Sequence, residues 1–453
     1  MSLVSLGCMA WDGAGAFELR HGMVGGSRCV DIVRILIYGL NYAPEPVGIG
    51  KYTGELAAWL GSRGHHVRVL TSVPYFPTWR VGLNSGNYRN RFSREQSGLV
   101  TVLRCPLWVP KRPNGLTRLL HLASFALTSL MPLVRQLSWR PEVVITIAPA
   151  LFCAPAALLF STLSGRKTHS WLHVQDFELD AAFELGMLKG GWIRTAAERW
   201  ESSTLMGFDR VSSISGAMMA RLRAKGVGSE KIRSFPNWVD LTQIKPADQS
   251  QRATNSYRCE LGIDEGQLVL MYSGSMNKKQ GLDLLVDVIE DLADQPQLVW
   301  LLAGEGPSKE SLQAATRHRS NVRVMPLQPF ERLNDWLNAA DVHLLPQKQG
   351  AADLVLPSKM LGILASGRPV VASSPAGSDL ASLASEAGRC VPPDDAQAFA
   401  AALRQLIDQP DERLLCGQRA RQLVEARFGS EAVLSALEQQ LFQLSGRSGI
   451  SVS

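Results

Sequence analysis

Short, unbroken apolar runs that alternate with stretches of helical spacing constrain this chain most, because the alternation starts over halfway along. Residues 33–40 are such a run, 41–50 read as a loop and 52–62 carry helical spacing. A turn at Gly64, His65 and His66 leads into a second buried strand over 67–72, and 143–147, 169–174 and 211–215 continue the strands, with 155–164 as a helix. After Pro236, Asn237 and a polar run over 245–255, the order begins again: strand 268–272, loop 274–281, helix 282–292, strand 297–303. Strands at 322–325, 342–346 and 369–372, a helix at 359–366 and closing helices at 396–408 and 411–427 complete the reading. Near-continuous apolar strands between helices are what a parallel sheet covered on both faces requires. The fold class expected is therefore α/β, with two facing Rossmann-like domains and a ligand cleft between the carboxyl ends of their sheets. The boundaries expected are a disordered or non-native extension over 1–32, a first domain over 33–236, a second over 237–428, and a helix and tail over 429–453.

A chain of 453 residues is long enough for two such cores. Its seven cysteines are odd in number and show no metal-ligand or redox spacing, which points to a reducing compartment. No basic start with an unbroken apolar run opens the chain. The formal charge of +6 is unevenly spread. Between Gly61 and Arg140 the cations run from Arg63 and Arg68 through Arg104 and Arg118 to Arg135, against the single acid Glu95. Interleaved tryptophans, and no signature of a nucleic-acid-binding fold, make an anionic lipid surface the partner expected for that stretch, with a solvated basic face as the plainer alternative. Within it, the apolar residues 119–134 fall short of the roughly 20 needed to span a bilayer. They read either as an interfacial helix between Arg118 and Arg135 or as a buried core helix.

Several residues point to anion chemistry. Gly48 and Gly50 stand between the first strand and first helix, where bare backbone and a helix N-terminus can approach a phosphate; as tight-turn glycines they need no ligand. Gly274 ends a strand, and Lys278 and Lys279 open the next helix, where cations are unfavourable without an anion to meet. Gly304 begins a glycine-rich turn after a buried strand. Ser358 and Lys359 again combine a capping hydroxyl with a lysine in a helix's first turn. His173, Gln175 and Asp176 lie at a strand's carboxyl end, suited to orienting or deprotonating an acceptor hydroxyl, although His173 fits a core histidine equally well. No metal site is expected from the histidine and carboxylate spacing.

Together these segments resemble family 4 of the retaining glycosyltransferases, over nearly the whole chain from about Val33. The resemblance rests on Gly64 to Val67, on Phe235 to Asp240, on Ala303 to Pro307 and on the run over 364–371. A narrower likeness, to transferases of colanic acid biosynthesis, is carried by residues 41–46, Gly48 to Tyr52, 109–113 and 356–359. The resemblance implies the GT-B fold and metal-independent sugar transfer with retention, using a nucleoside-diphosphate sugar as co-substrate and no cofactor. GDP-fucose is the candidate donor and a polyprenyl-diphosphate-linked exopolysaccharide intermediate the candidate acceptor, handled at the inner face of the cytoplasmic membrane. The chain departs from the family pattern at four places: Ser275 and Gln280 stand where an arginine and a lysine are usual, and Leu354 and Gly362 where two glutamates are, with Asp353 near the first. The usual His-Asp pair falls on Gln175 and Asp176. A sugar-nucleotide epimerase of the same fold and a non-catalytic sugar-nucleotide-binding subunit are the alternatives.

Overall fold

Buried on both faces, the apolar runs of the first half assemble into one eight-stranded sheet. In the computed structural model, which describes residues 31–45, 48–82, 88–111, 114–148, 151–165, 167–177, 191–349 and 358–447, its strands are β1 (Arg34–Gly39), β2 (His66–Ser72), β3 (Ser93–Ser97), β4 (Val100–Cys105), β5 (Val143–Ala148), β6 (His169–Val174), β7 (Arg210–Ser213) and β8 (Ile232–Ser234). Their order is β3-β4-β2-β1-β5-β6-β7-β8, parallel throughout except for β3, which runs antiparallel to β4. Helix α1 (Gly48–Ser62) connects β1 to β2. On the other face lie α2 (Gly115–Arg135), α3 (Ala154–Leu163), α4 (Trp192–Gly207) and α5 (Gly216–Ala224). Right-handed crossovers dictate this division, since the chain steps one way from β1 to β2 and the other way from β5 through β7.

The second sheet holds β9 (Leu268–Ser273), β10 (Leu298–Ala303), β11 (Val322–Met325), β12 (Val342–Leu345), β13 (Val370–Ser373) and β14 (Gly388–Val391) in the order β11-β10-β9-β12-β13-β14. This is the 3-2-1-4-5-6 order of the Rossmann fold, whose switch point lies between β9 and β12. Its helices are α6 (Leu282–Asp291), α7 (Lys309–Thr316), α8 (Leu333–Ala339), α9 (Ser358–Ala365), α10 (Asp379–Glu386), α11 (Ala396–Asp408) and α12 (Pro410–Arg427). The last helix, α13 (Ser430–Leu444), returns to the first sheet, where Leu434, Leu437 and Leu441 join Ile35 and Leu56 in one core. Its Glu438 reaches His65 Nε2 at 3.0 Å and Arg63 at 3.1 Å. The chain thus crosses between domains twice, and the two crossings are bonded together: Val239 N–H donates to the Phe428 carbonyl at 2.9 Å and Ser430 N–H to the Val239 carbonyl at 3.0 Å.

Four expectations need correction. Helix α1 begins at Gly48 rather than at residue 52, so Gly48 and Gly50 lie in its first turn and not in a preceding loop. The strands β3, β8 and β14 carry too little apolar sequence, or are too short, to stand out, whereas β4, Val-Thr-Val-Leu-Arg-Cys, carries an ordinary buried-strand pattern that the sequence reading passed over. Helix α2 is longer than its apolar core suggests, because Asn114 and Thr117 form a capping box that starts it early; Thr117–Ser138 is long and apolar enough, by length and composition, to cross a membrane. The cations of 61–140 are not all free to meet a surface. Arg104 is buried against Glu95 and the Ala43 carbonyl, Arg63 is tied to α13, and Arg68 bonds Gln136 and stacks on Trp139 at 4.3 Å. The extension over 1–30, and Asp353 and Leu354, lie outside the described residues.

Candidate active site at the domain junction

Elements that follow strand carboxyl ends in one domain meet their counterparts in the other. Lys51, in the first turn of α1 after β1, holds its Nζ 5.6 Å from the ring centroid of Phe330, which follows β11. Ala217 N–H, at the start of α5 after β7, donates to Asp379 Oδ2 at 3.0 Å, at the start of α10 after β13. A cavity of about 370 Å³ opens at this second contact, lined by Ser215, Gly216, Ser234, Asp379, Ser382 and Arg427.

Two loops and the start of α9 close on one another at the switch point of the second sheet. The loop after β9 runs through Gly274, Met276 and Gly281 to α6. The turn after β10 presses on it so closely that a Cβ at Gly304 would stand 2.0 Å from the Gly274 carbonyl oxygen, and one at Gly306 2.5 Å from that of Met276. Gly304 therefore serves this backbone approach. Beneath the same loop, Lys359 Nζ bonds Tyr272 OH at 3.1 Å and Gln280 Oε1, and it sits 4.4 Å from the Tyr272 ring centroid. Tyr272 OH in turn donates to the Ser275 carbonyl. Burial pushes the Lys359 ammonium down to about 7 and the Tyr272 phenol up, so Tyr272 stays a donor. Among the described residues no carboxylate pairs with Lys359. A half-buried lysine held by neutral dipoles is a cation that an arriving anion can complete.

The other residues singled out in the sequence are distributed around this centre. Lys278 and Lys279 are exposed on a single 3-10 turn between Gly274 and α6, and Asn277 caps that turn through the Lys279 N–H at 3.0 Å. Ser358 is exposed as the first residue of α9. Gly362 lies inside that helix, where a Cβ would touch Leu337 at 3.4 Å. In the first domain Gly48 adopts φ +63° in open space, which only its conformational freedom requires, while a Cβ at Gly50 would strike Glu45 at 2.7 Å. Glu45 itself is buried, accepts the Tyr75 and Phe76 N–H groups at 3.1 Å each and is bonded by Asn41; burial raises its carboxyl above the usual range.

His173 takes the core reading. It is 2% exposed, bonded through Nδ1 to Ser212 Oγ at 2.9 Å and packed 4.7 Å from the Phe235 ring, and burial lowers it to about 3. A neutral imidazole so enclosed is a poor base for an acceptor hydroxyl. Gln175 is also buried, and Asp176, one residue on, is the exposed group at the end of β6. The sequence reading missed Tyr272 and Gln280 as the groups that hold Lys359. The available signal was a polar-tipped aromatic at the carboxyl end of an otherwise aliphatic strand.

Comparison with known proteins agrees with this arrangement. Residues 47–238 match the model of a glycosyl transferase 4-like domain, and residues 267–409 that of glycosyl transferases group 1. The chain is 40% identical over 410 residues to an Escherichia coli (strain K12) protein named as a colanic acid biosynthesis glycosyl transferase, WcaI; the match covers 89% of this chain and 98% of that one. Among solved structures, sucrose-phosphate synthase from Thermosynechococcus elongatus is similar in fold, with a TM-score of 0.67 and 19% identity, covering 92% of this chain and all of that one. Anabaena HepE in complex with UDP-glucose gives a TM-score of 0.62 at 13% identity, covering 90% of this chain and 99% of that one.

Proposed function

Since this chain belongs to the glycosyltransferases built from a 4-like domain followed by a group 1 domain, with the GT-B fold, we propose that it moves a sugar from a nucleoside diphosphate to a polyprenyl-diphosphate-linked intermediate of exopolysaccharide synthesis, at the inner face of the cytoplasmic membrane. The observation that carries this reading is Lys359: a half-buried ammonium, paired with no carboxylate among the described residues and held by Tyr272 and Gln280 at the switch point, beside the bare backbone of Gly274. It stands beside Gln280, at the place where the family pattern has a lysine. Lys278 and Lys279 lie close by in sequence, on the turn leading to α6.

In this reading the bond between the anomeric carbon and the leaving diphosphate oxygen breaks. The acceptor hydroxyl oxygen bonds the same carbon from the same face, and its proton passes to the leaving diphosphate. The negative charge developing there is what Lys359 and backbone N–H groups stabilise, and no metal is invoked. Asp176 orients the acceptor hydroxyl, and water is excluded when the domains close on donor. GDP-fucose is the first donor to try, on the strength of the likeness to the colanic acid protein.

The test is a panel of radiolabelled sugar nucleotides incubated with the protein, with and without membrane lipid extract, in the presence of EDTA. Label passing into lipid from one donor is expected. Isomerisation of a donor without any lipid would instead make the protein an epimerase, and binding without transfer a non-catalytic subunit.

A further inference from the structure

Helix α2 turns its uncharged polar residues inward beside Phe125 and Leu133 and leaves a stripe of apolar residues outward, which a helix facing water does not need. His121 Nδ1 bonds the Trp108 carbonyl at 2.6 Å, Thr128 Oγ1 donates to the Pro106 carbonyl at 2.7 Å, and Ser129 Oγ meets Tyr38 OH at 2.6 Å. These are the residues that interrupt the apolar run in the sequence, and each is used to fasten the helix to the domain. Leu120, Leu127, Leu130, Met131 and Val134 form the opposite stripe and are 42–69% exposed. Helices α3 and α4, packed side by side next to α2, extend the surface with Leu159, Leu163 and Trp192, the last 80% exposed.

Among the described residues the unpaired charges around this face are cations. Exposed Arg118 and Arg135 mark the ends of α2, which carries no acid, and exposed Lys167 follows α3. On α4, Glu198 is paired with Arg194 and Glu201 is buried against Lys225, while Arg199 is exposed. An apolar stripe between cations complements an anionic headgroup layer over acyl chains.

We infer that the outer face of α2, α3 and α4 seats in the headgroup and acyl boundary of an anionic bilayer, with α2 lying in the membrane plane. Its length and composition would allow crossing, but its inward hydrogen bonds and the buried Phe125 and Leu133 hold it against the sheet from end to end. Because α2 follows β4, it starts at the carboxyl edge of the first sheet, and the bilayer reaches the rim of the cleft. This rests on the reading that the acceptor is a membrane lipid, and it assigns the contact to buried apolar area more than to the basic stretch.

The full-length protein is floated with vesicles of phosphatidylcholine and phosphatidylglycerol, at low salt and at roughly 1 M salt, where charges are screened beyond about 3 Å. A substantial fraction should stay bound at high salt, and the double variant Leu127→Glu, Met131→Glu should lose about tenfold in binding with an unchanged melting temperature. Brominated lipid should quench the unaltered protein and quench Trp192→Phe measurably less. Flotation of the double variant equal to the parent, complete release of the parent by salt, or a parent dimer in sedimentation that the double variant dissolves without any change in flotation would each overturn the assignment. Transfer to detergent-dispersed acceptor separates the two readings: it should survive in the double variant, and its failure in the parent would count against the acceptor and not against this face.

Discussion

A Cβ placed on Gly274 would stand 3.3 Å from Lys359 Cδ and 3.4 Å from its Nζ. The lysine lies across the space that only a glycine leaves open, and Gly274 also holds φ +147°, a conformation side chains resist. Gly274→Ala is therefore expected to cost about 1–3 kcal/mol of stability and to push the ammonium off its Tyr272 and Gln280 seat. Donor affinity should fall about tenfold, because a charge-assisted hydrogen bond is worth roughly 1.5–3 kcal/mol. Thermal unfolding and donor titration calorimetry on the same preparation check both parts.

Lys359 also sets a pH dependence. Burial lowers it to about 7 in the donor-free protein, and a bound diphosphate would favour its charged form. Binding must then take up a proton above pH 7, and affinity should fall as pH rises, by up to about tenfold per unit. Calorimetry in buffers of different ionisation enthalpy reads the proton directly. Lys359→Ala should weaken donor binding about 10–100-fold, with the fold intact, and abolish the proton uptake. Donor binding that is as tight in the variant would take this residue out of the site.

The fold was legible because its signal is periodic and redundant: fully buried runs such as residues 143–148 and 298–303 can hardly be anything but central parallel strands. The edge strand β3, Ser-Arg-Glu-Gln-Ser, has no such signal, since its place is fixed by pairing with β4 and not by its own residues. At the site, Gly274 and Lys359 were visible as residue types suited to an anion. That they meet, 85 residues apart in sequence, follows from strand order and not from local pattern. The basic stretch was legible only in part for a related reason. Composition counts charges, but only the fold shows that Arg104 is consumed by Glu95 and Arg63 by Glu438.

His173 separates structure from chemistry. Held neutral by burial, with a value near 3 against an ordinary 6.5, it binds fewer protons folded than unfolded between those limits. Its contribution is thus complete above pH 6.5 and is lost as pH falls toward 3. Buried His343 behaves alike. Melting temperature should drop steadily below pH 6.5, and less steeply in His173→Gln. That variant should lose the Ser212 bond and some stability at neutral pH, yet keep kcat per folded molecule within about twofold. A loss of kcat of about 100-fold with stability retained would restore the histidine to catalysis.

Asp379 and the start of α5 form a clasp between the domains. The carboxylate accepts Ala217 N–H at 3.0 Å, and a Cβ at Gly216 would approach its Oδ1 to 2.9 Å, so the contact depends on a glycine opposite an acid at a helix N-terminus. Each exposed interaction of an anion with a helix N-terminus is worth roughly 0.3–1 kcal/mol, and up to about 2 when partly buried. That is too little to affect either core, and enough to shift a balance between open and closed domain arrangements several-fold. Asp379→Ala should leave the melting temperature within a few degrees, raise the radius of gyration of the donor-free protein in small-angle scattering and raise the donor KM more than it lowers kcat. Gly216→Ala, which obstructs the same contact from the other domain, should do likewise, and the double variant should be no more open than either single one. Additive opening would mean that the two residues act through different contacts.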